Sequence, residues 1–138
     1  MIKKFLKLDF DFDFVLIAIT SPLKDYRLCY KVNIAAQTDF RKIEDLTLSF
    51  KENGFKYHSC YLHKIPDSDC QFYFIANKGS NGFLISEMKE VDYFIIIKEF
   101  IDEEDLSHFL DRLKSINDIQ AAIEINPKRL KSKENLLF

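Results

Sequence analysis

The sequence predicts an α+β protein, with a mostly antiparallel sheet of about five to seven strands and two helices packed on one face. Three observations lead to this fold class. The segment Val91 to Lys98, rich in Ile and aromatic residues, is typical of a strand that is buried on both faces. Two segments, around 21–36 and 102–116, carry apolar residues at helical spacing. Strand-like segments separated by turn residues lie between them and predict consecutive hairpins.

The first elements are predicted to be strand and helix. Phe5 to Phe14 alternates Phe with Asp, which favours a half-buried strand, and Val15 to Ile19 is apolar enough for a buried one. Ser21 and Pro22 suit the N-cap and the first turn of a helix, which we expect to continue to about Ala36.

This first helix carries many apolar residues at helical spacing. The stripe that we expect to face the core is formed by Leu23, Tyr26, Tyr30 and Ile34. Further residues that widen this stripe are Leu28, Cys29 and Val32. The width of the stripe predicts that the helix is heavily buried against the sheet.

The middle of the chain is predicted to be an antiparallel meander. Phe40 to Phe50, Phe55 to His63 and Gln71 to Asn77 are strand-like. The turn at 52–54 contains Asn-Gly, which favours a tight hairpin. The turn at 79–82 leads the chain into what we call the central stretch, Gly82 to Phe100.

The last third of the chain is predicted to contain the segment Val91 to Lys98, which we call the central strand, then the second helix and a final strand. Asp102 is placed to cap this helix, whose first turn is acidic. Ile119 to Ile125 is strand-like and ends at Asn126-Pro127. This order fits two helices on one face of the sheet, and a ferredoxin-like core with an added hairpin is one such arrangement.

Length and composition predict a single domain over residues 1–138. A chain of 138 residues that is 47% hydrophobic and 30% charged is long and apolar enough for one core. The net charge of −2 gives no global attraction to nucleic acid or to an anionic membrane. No apolar run has the length of a membrane span, and acids interrupt any region that resembles a signal peptide. We therefore expect a cytoplasmic protein without membrane association.

Within the central stretch, Ile85-Ser86-Glu87 and Val91-Asp92-Tyr93 resemble the motif of the bacterial IPExxxVDY family of small proteins. Ser86 stands where the family name has Pro, and proline offers no nucleophile, which argues against chemistry at this position. The segments 25–29 and 130–138 also look like that family, so the resemblance covers essentially the whole chain. The resemblance implies a bacterial protein, and it implies no particular activity.

The best candidate site is the charged bend that precedes the central strand. Glu87, Asp92 and Tyr93 are the residues that we expect to bind a partner. Paired carboxylates also suit acid–base chemistry or a divalent cation. The structural alternative is that Glu87 accepts backbone N–H groups while Asp92 caps a turn or pairs with a basic residue. We assign no catalytic residue and expect no cofactor.

Histidine and cysteine raise the question of zinc. The residues concerned are His58, Cys60, His63 and Cys70. A structural zinc site needs close ligand pairs presented by turns, whereas His58 and Cys60 share one face of a predicted strand and His63 lies on the other. We interpret these residues as packed or exposed, and we expect no metal. Three cysteines cannot all pair within one chain, which favours free thiols and a reducing compartment.

Both ends of the chain are basic. The residues that would form a basic patch are Lys3, Lys4, Lys128, Arg129, Lys131 and Lys133. Such a patch beside exposed aromatic residues could hold single-stranded RNA, and a solvated surface is the alternative. Residues 128–138 form a basic tail ending in an apolar anchor, Leu136-Leu137-Phe138. We expect this anchor to dock on the chain's own core or, in a homodimer, on a second copy.

These observations favour three functions in order. The first is a small cytoplasmic protein-binding or adaptor module that uses the Glu87–Tyr93 bend to bind another protein. The second is an RNA-binding accessory protein that uses the basic ends. The third, with the least support, is a metal-assisted hydrolase that uses Glu87 and Asp92.

Overall fold

A computed structural model of the protein describes residues 12–50 and 54–138. The strands are β1 (Val15–Thr20), β2 (Arg41–Phe50), β3 (Gly54–Lys64), β4 (Gln71–Ala76), β5 (Lys78–Gly79), β6 (Gly82–Phe83), β7 (Tyr93–Lys98) and β8 (Ala121–Ile125). The helices are α1 (Asp25–Ala36) and α2 (Glu103–Lys114), followed by two short 3-10 helices, Pro127–Arg129 and Lys133–Leu136.

Six strands form one antiparallel sheet in the order β2-β3-β4-β7-β1-β8, while β5 and β6 form a separate two-stranded ladder. The predicted α+β class is therefore confirmed, and so is the meander of β2, β3 and β4. The elements β1-α1-β4-β7-α2-β8, with their strands in the order β4-β7-β1-β8, make a ferredoxin-like core. The pair β2–β3 is the added hairpin.

The centre of the sheet is β7, which pairs with β4 on one side and with β1 on the other. Its residues from Tyr93 to Ile97 are all buried. Ile95 and Ile97 belong to the cluster beneath the helices, whereas Phe94 and Ile96 belong to the cluster on the opposite face. The prediction of a strand buried on both faces is confirmed.

The two faces of the sheet are covered in different ways. Both helices pack on one face, where their buried residues are Leu28, Cys29 and Val32 of α1 and Phe109 and Leu113 of α2. The opposite face is covered by irregular chain. That cover consists of Leu84, Ile85 and Val91 from the bend and Leu130 and Leu136 from the tail.

The first helix begins later than the sequence predicts. It starts at Asp25, and the preceding Lys24 makes no side-chain cap. The Ser21 hydroxyl instead accepts a hydrogen bond from the Leu23 backbone N–H at 3.3 Å, which holds a turn ahead of the helix. The predicted N-cap at Ser21 is wrong because that residue is used in this turn, while the predicted end at Ala36 is confirmed.

The predicted core stripe of α1 is also wrong in large part. Tyr26, Tyr30 and Ile34 are exposed by 60%, 67% and 63%, and the three residues predicted only to widen the stripe are the buried ones. Residues spaced by four on a helix share one face, so Tyr26, Tyr30 and Ile34 form an outward stripe. The helix therefore has two apolar stripes, and only one of them serves the core.

The second helix agrees with the sequence. The Asp102 carboxylate accepts the backbone N–H of Asp105 at 2.8 Å, as expected of an N-cap. Asn126 and Pro127 end the last strand and begin a 3-10 helix, in which the Asn126 side chain accepts the Lys128 N–H at 3.1 Å.

Some predictions concern residues outside the described chain. Most of the Phe5–Phe14 strand, the basic residues Lys3 and Lys4, and most of the 52–54 turn lie there. Residues 12–14 are described and precede β1 without joining the sheet.

The cysteines are buried and unpaired. Burial raises the pKa of Cys60 to about 11, and it also raises the pKa values of Cys29 and Cys70. These side chains are therefore thiols at neutral pH and poor nucleophiles.

Across residues 12–50 and 54–138, no helix combines the length and the apolarity needed to cross a bilayer.

Candidate functional site

The bend between β6 and β7 is organised by one side chain that no sequence pattern singles out. Asn77 follows β4 and is completely buried. Its side-chain oxygen accepts the Ile85 N–H at 2.9 Å, and its amide nitrogen donates to the Met88 and Val91 carbonyls at 2.9 and 2.8 Å. Its backbone N–H donates to the carbonyl of Asp92. One buried amide therefore determines the course of residues 85–92.

Within the bend, the chain makes two successive turns. The Met88 N–H donates to the Ile85 carbonyl and the Val91 N–H donates to the Met88 carbonyl, each at 3.1 Å. Ser86 is therefore the second residue of the first turn, a position that favours proline. The serine reaches the same turn without a fixed φ, and its side chain is exposed.

Glu87 connects the bend to the tail. Its carboxylate accepts the Ser132 backbone N–H at 2.9 Å and the Ser132 hydroxyl at 2.7 Å. The Asn135 side chain adds a hydrogen bond of 2.8 Å to the Leu84 carbonyl. The carboxylate thus has a structural role, as in the structural alternative, and Ser132 of the tail supplies the hydrogen bonds of 2.7 and 2.9 Å.

Asp92 and Tyr93 connect the bend to the chain that leads into α1. The Asp92 carboxylate accepts the Ser21 N–H at 2.8 Å, and the Tyr93 hydroxyl donates to the Leu23 carbonyl at 2.6 Å. Burial is the largest cause that raises the pKa of Tyr93, and the negative charges of Asp25 and Asp92 raise it further. The hydroxyl is therefore protonated and donates at neutral pH. These two residues position the start of α1.

The two acidic residues of the bend therefore act on different segments. Glu87 binds the tail and Asp92 binds the entry to α1, and they share no hydrogen-bond partner. Within the described ranges, no three His, Cys, Asp or Glu residues are grouped so as to hold a metal ion. Cys60 belongs to the cluster on the face opposite the helices, and His58 lies two residues before it in β3, whereas His63 contacts Phe72 on the helix face.

The carboxylate of Glu87 makes folding stability depend on pH. Burial raises its pKa, but the hydrogen bonds from Ser132 outweigh burial and hold the pKa below its usual 4.5. Because the folded protein binds this proton more weakly than the unfolded chain, the stabilisation is complete above pH 4.5 and declines as the pH falls further.

We predict that Glu87→Gln lowers the free energy of unfolding by up to about 1 kcal/mol at pH 7, because the carboxylate is exposed to solvent. Urea unfolding between pH 3 and 7 should show that the difference from the unsubstituted protein shrinks below pH 4.5. Glu90→Gln, at an exposed position of the same bend, is the control and should show no such trend. A difference that does not change with pH would contradict this role of Glu87.

The described part of the predicted basic patch is partly engaged within the chain. Lys128 pairs with Asp13 at 3.0 Å, and the Lys133 ammonium lies 5.2 Å from the centre of the Phe12 ring. Arg129 and Lys131 are exposed. The tail thus uses two of its four basic side chains in contacts with residues 12–13.

The outward surface of α1 is aromatic and cationic. We call it the α1 outer face and define it as Tyr26, Arg27, Tyr30, Lys31 and Ile34. The first four residues line a depression of about 450 Å³. The Lys31 ammonium pairs with Asp118, and no acid partner of Arg27 is found among the described residues.

The acidic residue of this helix is turned away from the outer face. The Asp25 carboxylate accepts hydrogen bonds from the Ser59 hydroxyl at 2.5 Å and from the Tyr61 hydroxyl at 3.2 Å, both on β3.

The sequence predicts that the apolar residues of the α1 outer face, Tyr26, Tyr30 and Ile34, lie in the core. Their spacing is visible in the sequence, and their exposure is not.

Comparison with known proteins adds no relative. No family model, no curated protein and no solved structure matches the chain. The resemblance to the IPExxxVDY family stays a prediction.

Proposed function

We propose that this protein is a protein-binding module that uses the α1 outer face as its docking surface. One observation carries the proposal. Tyr26, Tyr30 and Ile34 lie along one face of a helix and are each at least 60% exposed, while the opposite face of the same helix is fully buried. The core does not account for them.

The composition of the α1 outer face fits protein recognition. Single exposed apolar residues are common on soluble proteins, but a row of three large ones over two turns is a feature of interaction sites. Tyrosine and arginine are the residue types that contribute most to binding energy in protein interfaces. Each tyrosine supplies apolar area and a hydroxyl that pairs at the rim.

The charges on the surface select the kind of partner. Lys24 and Arg27 are exposed and cationic, and the only acid on α1, Asp25, is bonded to β3. A second copy of α1 would bring like charges together. The complementary partner is an acidic amphipathic segment, whose apolar residues contact the tyrosines and whose carboxylates contact Arg27.

The bend supports this surface. Asp92 and Tyr93 bind the backbone at Ser21 and Leu23, so they hold α1 against the sheet at the end that presents Tyr26. Direct contact of Glu87, Asp92 and Tyr93 with a partner stays a prediction. Their polar atoms already have partners within the chain, which favours a positioning role for them.

The test uses a library of 12-residue peptides displayed on phage and selected on the folded protein. We expect the selected peptides to carry Asp or Glu together with apolar residues three or four positions apart. Binding of the synthesised peptides to Tyr30→Ser/Ile34→Ser should weaken at least roughly tenfold, since two interface anchors are lost. Fluorescence anisotropy measures the affinities.

The matched control is Phe55→Ser/Tyr57→Ser, which removes two exposed aromatic residues that belong to β3 and not to the α1 outer face. This variant should bind the peptides with an affinity within about twofold of that of the unsubstituted protein, because residues outside the central anchors of an interface contribute little binding energy. Peptides that bind both variants equally well, or a dimer of this chain that only the α1 substitutions dissociate, would contradict the proposal.

RNA binding is the second candidate, carried by the exposed basic residues Arg129 and Lys131 of the tail. Titration with a single-stranded oligouridylate distinguishes it. Affinity that falls steeply with salt and is unchanged by the α1 substitutions would favour RNA binding through the tail over the proposed function. The hydrolase hypothesis has the least support, because Glu87 and Asp92 bind separate segments.

A further inference from the structure

A cleft of about 350 Å³ lies away from the bend, where the end of α1, the β3–β4 turn and α2 meet. Its volume is within the range of small-molecule sites. The turn contributes Ser68 and Cys70, and α2 contributes Asp105, His108, Phe109 and Arg112. Those four helix positions are spaced by three and four residues, so they form one face of α2.

The inner wall of the cleft is apolar and aromatic. The rings of Phe72 and Phe109 meet edge to face, with centroids 5.1 Å apart, and His63 lies 5.4 Å from Phe72. Ile65, Phe100 and Ile101 also line the cleft. An aromatic ligand would find ring edges and faces to pack on.

The polar atoms left over at the cleft are mostly donors. The Nδ1 atom of His63 accepts the Asp39 N–H at 3.0 Å, so the proton of the neutral ring is on Nε2. Burial lowers the pKa of His63 despite the opposing charge of Asp39, which keeps the ring neutral. The Nε2–H group forms no hydrogen bond with the described residues.

The second donor group is on α2. The Arg112 Nε–H donates to His108 Nε2 at 3.3 Å, which leaves the terminal amino groups of the guanidinium available. Arg112 forms no ion pair with any residue in the described ranges. A guanidinium with two free parallel N–H groups matches a carboxylate.

The acceptors at the cleft are largely used by the protein. The Ser68 hydroxyl accepts the Cys70 N–H, and the Asp102 carboxylate accepts the Asp105 N–H. Asp102 keeps its negative charge, and Asp105 is the second acid that lines the cleft. Asp105 precedes Arg112 by seven residues, or about 10 Å along the helix, so its charge opposes a carboxylate bound at Arg112 only weakly.

We infer that this cleft binds a small aromatic carboxylate, with its ring against Phe72 and Phe109 and its carboxylate at Arg112 and His63. The site is separate from the α1 outer face, and it does not depend on the proposed function.

The test is a titration of the isotope-labelled full chain with indole-3-propionate, followed by ¹⁵N–¹H chemical shifts. The matched ligand is indole-3-propionamide, which has the same shape and no charge. We expect the carboxylate to bind with a Kd of about 1 mM or tighter and to shift resonances of residues at the cleft. The amide should bind at least roughly tenfold more weakly, since it lacks the charge-assisted hydrogen bonds.

Two variants and a control complete the design. Arg112→Gln should weaken carboxylate binding roughly tenfold and leave amide binding unchanged, whereas Arg129→Gln, outside the cleft, should change neither. Asp105→Asn should strengthen carboxylate binding, because it removes a like charge. The inference is overturned if the carboxylate does not bind at about 10 mM, if acid and amide bind equally, or if Arg112→Gln has no effect.

Discussion

Replacing Asn77 by alanine is expected to destabilise the protein strongly, by more than the loss of any exposed polar side chain of the bend. The buried amide makes three hydrogen bonds, to the backbone at Ile85, Met88 and Val91. Alanine leaves the Ile85 N–H and the Val91 carbonyl without these partners, at a cost of about 1–3 kcal/mol each, while the Met88 carbonyl keeps the hydrogen bond from the Val91 N–H. The sum, roughly 2–6 kcal/mol, is a large part of the total stability of a small domain.

Urea unfolding followed by circular dichroism measures this effect. Asn81→Ala is the matched control, because Asn81 is exposed, lies four residues further along and makes one hydrogen bond, to the Phe55 carbonyl. We expect the control to lose no more than about 1 kcal/mol. If the two substitutions cost the same, Asn77 would not organise the bend.

The second large effect is expected at the tail. Leu136 is fully buried in the cluster on the sheet face opposite the helices, and its neighbour Leu137 is 36% exposed. Truncating a buried leucine to alanine costs about 2–5 kcal/mol, because apolar contacts are lost and a cavity remains. We therefore expect Leu136→Ala to lower the free energy of unfolding by that amount, and Leu137→Ala by less than about 1 kcal/mol.

The same pair of variants tests how the tail is held. The structure seats it on the chain's own sheet, where Glu87 binds Ser132 and Asn135 binds Leu84. Exchange of the tail between two copies stays a prediction. Light scattering after size exclusion should show a monomer. The free energy of unfolding measured in urea should not change with protein concentration. Equal losses for the two leucines would contradict docking of Leu136 in the core.

Part of this structure can be predicted from local patterns. The central strand is recognisable because Phe94 to Ile97 are all apolar, a pattern typical of a strand covered on both faces. The start of α2 is recognisable because Asp102 precedes an acidic first turn. In both cases the deciding residues lie within a few positions of each other.

The orientation of α1 cannot be predicted in this way. Tyr26, Tyr30 and Ile34 make one apolar stripe, and Leu28, Cys29 and Val32 make another. Periodicity shows that both exist and gives no reason to bury one of them. The choice depends on contacts between residues far apart in the chain. Asp25 accepts hydrogen bonds from Ser59 and Tyr61 on β3, and these hold its side of the helix against the sheet.

By itself, then, the sequence determined the fold class, the central strand and the capped second helix, because these depend on short-range periodicity and capping. The tertiary structure alone decided the role of Asn77, the separation of Glu87 from Asp92, the exposed face of α1 and the cleft at Arg112. Each of these depends on residues far apart in the chain, which the packing of the sheet brings together and which no local pattern encodes.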